Sequence, residues 1–115
     1  NGPNYASKFI EETGRLLRKG KQNTAIMIDC SHANSGKDYA RQSIVAKDIA
    51  EQISEGNEDI CGVMIESNLV EGSQTLSAGK ELVYGQSITD GCAGLEDTSA
   101  MLETLSVAAA QRLKI

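Results

Sequence analysis

The chain has 115 residues, 40% of them hydrophobic, and 11 basic against 16 acidic side chains for a net charge of −5. One core and not two can be built from that length, so no separate domains are expected within 1–115, and the scattered basic residues argue against nucleic acid as a partner. No apolar run is long enough to span a membrane, and NGPNYASK at the amino end lacks the charged start and apolar centre of a signal peptide, so a soluble, cytoplasmic protein is expected. Cys30, Cys61 and Cys92 form no CxxC pair and leave one over in any disulfide scheme. They read as reduced thiols acting as small core residues, Cys61 most plainly because it enters an apolar strand.

In chain order, residues 7–20 set Phe9, Ile10, Thr13, Leu16 and Leu17 at helical spacing, weakened by Gly14 and stopped by Gly20. TAIMIDC (24–30) is a short apolar run without alternation, as in a parallel strand covered on both faces. A second helix is predicted over 38–55, with Ile44, Val45, Asp48, Ile49, Gln52 and Ile53 on its inner side and edges and Gly56 closing it. ICGVMIES (60–67) is the next buried strand. Residues 68–86 lose all period and read as a long loop, a length that is uncommon unless the loop serves a site or is disordered. SITD (87–90) is a brief extended piece, and a last helix over 98–113 is expected to bury Met101, Leu102, Leu105, Ala108, Ala109 and Leu113.

This order is the rhythm of a parallel α/β protein. Three parallel strands cannot close a sheet, and a (β/α)8 barrel typically needs about 250 residues. The expectation is therefore the carboxyl-terminal part of a larger enzyme, or an ordered remnant of one.

Each predicted strand ends in a group that can bind metal: His32 after TAIMIDC, Glu66 after CGVMI and Asp90 after SIT. Parallel α/β folds open the carboxyl ends of their strands on one face and keep their sites there. One imidazole and two carboxylates suit manganese, iron, cobalt or zinc better than calcium or magnesium. Taken singly, each residue has a plainer reading: a lone histidine is more often a hydrogen-bonded structural residue, and an acid at a strand end is more often a helix cap or a solvated charge. Asp29, Ser31 and His32 invite comparison with a Ser/His/Asp triad, but neighbours in extended chain point to opposite faces, and no GxSxG elbow is present. GSQTLSAGKE (72–81) has the wrong spacing for a phosphate loop, with Glu81 where Ser or Thr is needed.

IMIDCSHANSGK (26–37), GVMIESNLVEGSQ (62–74), YGQSITDGCAGLEDT (84–98) and NGPNY (1–5) resemble, in order and spacing, the carboxyl-terminal third of the type I 3-deoxy-D-arabino-heptulosonate 7-phosphate (DAHP) synthases. The resemblance covers essentially the whole chain and fits these enzymes better than the related octulosonate 8-phosphate synthases. It implies a (β/α)8 TIM barrel of which this chain carries the last three strands and their helices. It implies a transferase that condenses phosphoenolpyruvate with erythrose 4-phosphate, the first step of the shikimate pathway of aromatic amino-acid biosynthesis, in a homo-oligomer. It also implies a divalent metal held by His32 of SHAN, Glu66 of ES and Asp90 of SITD, with Asp90 also contacting the aldehyde substrate. The family's fourth ligand is a cysteine on an early strand, to which neither Cys30 nor Cys61 corresponds, and its phosphate-binding residues fall in motifs upstream of Asn1. Cys30 replaces a common aromatic, and GCAGL (91–95) stands where many members read ACIGW. The competing reading is a non-catalytic truncated α/β fragment or metal-binding module without the phosphate clamp.

Overall fold

The computed structural model describes residues 2–115, so the first residue of the NGPNY stretch lies outside the described residues. The elements follow as α1 (Ser7–Lys19), β1 (Ile26–Asp29), α2 (His32–Ser35), α3 (Gln42–Ser54), β2 (Ile60–Met64) and α4 (Leu95–Arg112), with a 3-10 turn over Tyr39–Arg41 ahead of α3. β1 and β2 form a two-stranded parallel sheet joined through α2 and α3. The result is an α/β fold with a small parallel sheet, as the strand–helix–strand rhythm requires.

Register explains one departure from expectation. Ile26 lies opposite Ile60 and Met27 opposite Gly62, so Cys61 is skipped by the ladder. A residue left out in this way loses its place in the alternation of faces. Cys61 is accordingly exposed rather than a core residue, whereas Cys30 is fully buried and Cys92 half-buried. Burial, aided by the neighbouring Asp29 charge, pushes the Cys30 thiol up to about 11, as befits an inert core residue.

The sheet is covered on one face only. Ile28 and Cys30 join Val45, Ile49, Ile53 and Ile60 in a buried cluster that residues of α4 complete. Met27, on the opposite face, is 66% exposed, so the covering on both faces expected from the unbroken apolar run is not present here. The radius of gyration is 16.3 Å, against about 13 Å for a compact domain of this length. Among the described residues no helix is long and apolar enough to cross a membrane.

Helix faces follow the same rule. In α1, Ile10 and Gly14 are buried while Phe9 and Leu16 are exposed. Gly14 is needed for close approach: a Cβ there would run into the Asp59 carboxylate, which accepts two bonds of 3.0 Å from Arg18. In α4, Met101 and Ala108 are buried and Leu105 packs beside them, but Leu102, and Leu113 just past the helix end, face outward. That helix begins at Leu95 rather than 98, because extended Gly94 caps it and Glu96 and Asp97 complement its positive end.

SITD is not a strand. Ser87 makes one isolated bridge, to Ser73, and its Oγ then accepts the Thr89 N–H at 3.1 Å. That local turn diverts a ladder donor and bends the chain. The third sheet position is instead a single parallel bridge from Ala93 to Ser67, so Asp90 sits on a bend before it.

Candidate metal centre

β1 ends at Asp29, and His32 opens α2 three residues on with φ of 50°. Left-handed backbone is uncommon outside glycine but tolerated by histidine, and it recurs where a site dictates geometry. The imidazole is thereby brought back over the carboxyl end of the sheet. Its Nε2 lies 2.9 Å from Glu66 Oε1 and 3.8 Å from Asp90 Oδ2. One donor atom from each of the three residues falls within 4.8 Å of the others. All three residues singled out from the strand ends therefore meet at one place, together with Ser31, Lys37, Tyr39 and Gly91, around a cavity of about 200 Å³. Among the described residues neither Cys30 nor Cys61 belongs to this cluster.

Glu66 is held by its backbone. Gln42, at the start of α3 and fully buried, receives the Glu66 N–H at Oε1 and donates from Nε2 to the Glu66 carbonyl, each at 2.9 Å. The Ala93 N–H reaches the same carbonyl at 2.9 Å. Gln42→Ala would leave the Glu66 N–H without its partner inside the protein. A stability loss of about 2–3 kcal/mol is expected in denaturant melts, since an orphaned buried donor costs about 1–3 kcal/mol and the truncation adds a small cavity. A loss below about 0.5 kcal/mol would show that this clamp does not fix Glu66.

His32 is also tied from behind. Its Nδ1 lies 2.8 Å from Asp29 Oδ2, and that contact, first as a hydrogen bond and then as a charge, holds the imidazole above its usual range. Burial works slightly against this, and Glu66 and Asp90 add to it. A cation placed between Glu66 and Asp90 answers the same electrostatic demand as a ring proton on Nε2, so the donor set fits a divalent ion of the borderline type. His32 Nε2, the nitrogen a serine hydroxyl would need, faces Glu66 and Asp90 instead, and the Ser31 backbone N–H donates to Asp29 Oδ1 at 2.7 Å. Cys92 approaches from the side, its Sγ 3.6 Å from the Asp90 carbonyl, and burial, then the Glu66 charge, raises its thiol.

The sequence reading missed Gln42, Lys37 and Tyr39. Lys37 adopts φ of 62° on the cavity wall, a conformation no residue type announces. Tyr39 lies so close to Gly91 that a Cβ at 91 would strike its ring, which gives the glycine of GCAGL a reason.

The sequence matches the DAHP synthetase I family over residues 1–103. It is 47% identical over 110 residues to the Phe-sensitive phospho-2-dehydro-3-deoxyheptonate aldolase of Escherichia coli K12, covering 96% of this chain and 31% of that one. It is 44% identical over 121 residues to the phenylalanine-inhibited enzyme of the same name from Saccharomyces cerevisiae, covering 99% and 33%. The structure of phospho-2-dehydro-3-deoxyheptonate aldolase from Francisella tularensis SCHU S4 superposes with a TM-score of 0.91 at 49% identity, over 96% of this chain and 32% of that one. The chain thus spans about a third of the length of the relatives it matches.

Proposed function

The chain belongs to the DAHP synthetase I family, and on that premise we propose that it forms the carboxyl-terminal portion of a (β/α)8 barrel that condenses phosphoenolpyruvate with erythrose 4-phosphate. The observation that carries this reading is the convergence of His32, Glu66 and Asp90 at the carboxyl end of the sheet. In this reading the three side chains hold a divalent metal of the manganese, iron, cobalt or zinc class, and the protein is cytoplasmic and homo-oligomeric.

Carbon 3 of phosphoenolpyruvate is a weak nucleophile, and the aldehyde it attacks gains negative charge on oxygen. A divalent ion in this site supplies Lewis-acid polarisation at such an oxygen. Glu66 and Asp90 lower the net charge of the site, and the Gln42 clamp fixes the Glu66 backbone from which its carboxylate projects. Asp90 is the most exposed of the three at 74%, which suits it to contact an entering aldehyde. Among the described residues Lys37 is the one lysine or arginine on the cavity wall, and it opposes the acidic side chains there with a positive charge toward anionic substrates.

The complete protein, stripped by chelator, is expected to lose conversion of the two substrates and to recover it with manganese or cobalt. Full turnover in excess chelator, with no metal by elemental analysis, would contradict the metal role. Failure to consume the substrates under any metal would contradict the reaction.

A further inference from the structure

We propose that Asp29 is the positioning residue of this centre, the carboxylate that fixes the tautomer and aim of His32 so that Nε2 is presented to the metal. The inference rests on reading His32, Glu66 and Asp90 as ligands, and goes beyond it by assigning a residue that holds no metal itself.

Asp29 is fastened on several sides. Oδ2 lies 2.8 Å from His32 Nδ1, Oδ1 accepts the Ser31 N–H at 2.7 Å, and its carbonyl accepts from Asn34 Nδ2 at 2.7 Å. Asn34 is in turn held by the Asn4 N–H at 2.7 Å. A carboxylate only accepts hydrogen bonds, so Nδ1 carries a hydrogen toward Asp29; Nε2, 2.9 Å from the Glu66 carboxylate, carries the proton that a metal would displace, and Asp29 leaves the Nε2 lone pair as the one that then ligates. That nitrogen is the one facing Glu66 and Asp90. Were the neutral ring's tautomer reversed, Nε2 would keep its hydrogen and could not ligate. Because Asp29 closes β1 while His32 lies in left-handed backbone beyond it, the contact also sets the ring's plane against the sheet rather than against a free loop. Partners of this kind typically contribute 10–100-fold to metal affinity.

The test uses the complete protein and measures Mn²⁺ affinity by competition with a chelator, alongside the visible spectrum of bound Co²⁺. Asp29→Ala is expected to weaken Mn²⁺ binding about 10–100-fold. Asp29→Asn should weaken it at least as much, because Nδ1–H and the Ser31 N–H bind separate oxygens of Asp29, one of which becomes an NH₂ donor in the amide, and an NH₂ turned toward the ring favours the wrong tautomer. The Co²⁺ spectrum at saturation should change in both. Asn34→Ala loosens the same turn without touching the imidazole and is expected to leave affinity within about twofold and the spectrum unchanged. Wild-type affinity in Asp29→Asn overturns the proposal, as does an equal loss in Asn34→Ala, which would reduce Asp29 to a prop of the turn. His32→Ala separates the two readings. If it binds Mn²⁺ as wild type does, the metal centre itself is wrong. If it loses binding while the Asp29 variants keep theirs, only the role of Asp29 fails.

Discussion

His32→Ala in the complete protein is expected to lower turnover of phosphoenolpyruvate and erythrose 4-phosphate by about 1,000-fold or more, equivalent to about 4 kcal/mol of transition-state stabilisation. The imidazole is the only nitrogen donor in a cluster whose other members are carboxylates. Without it, Glu66 and Asp90 face each other as like charges with one fewer donor, and Asp29 loses the ring it holds. The side chain is half-exposed, so the effect should fall on activity and not on folding. Steady-state assays with a parallel melt check this. Activity within tenfold of wild type, in a protein that retains its melting temperature, would remove His32 from the chemistry.

The 115 residues by themselves are expected to show no measurable condensation and no cooperative monomeric melt. A two-stranded sheet leaves both edges open and is marginal without further strands or full covering by helices. Met27 on its bare face is 66% exposed, and Leu102 and Val107 of α4 and Leu113 just after it also face outward. In the relatives the matched region is about a third of the chain. Scanning calorimetry with sedimentation decides it. A sharp two-state transition from a monomer would mean that the segment is a self-sufficient domain and that the barrel reading is wrong.

The contrast between Met27 and Ile28 shows how far the sequence could be read. The apolar run around them announced a strand, because four residues of such character end in a turn; which face would be covered depends on chain elsewhere, and no local pattern carries that. Helical spacing likewise marked Leu102 and Leu113 as apolar stripe, yet spacing does not say what lies opposite. His32 and Glu66 were legible for a better reason: a polar donor shortly after an apolar strand is placed by the fold at the site end of the sheet. Asp90 reached the cluster by a different route, from a bend where the Ser87 hydroxyl had taken a ladder donor, not from a strand end. Gln42 was hidden because its contribution is an amide gripping a backbone 24 residues away, and glutamine within a helix looks like surface. Asp29 is visible in the sequence only as a neighbour of His32, because its bond to Nδ1 depends on the positive φ of His32.

The central claim, that His32, Glu66 and Asp90 hold a divalent ion, is tested most directly by diffraction from crystals of the complete protein grown with Mn²⁺, with data collected at the manganese absorption edge. An anomalous peak is expected about 2.0–2.2 Å from His32 Nε2 and from one carboxylate oxygen each of Glu66 and Asp90, with Asp29 still bonded to Nδ1. A peak elsewhere in a folded, active crystal, or none at that point, would contradict it.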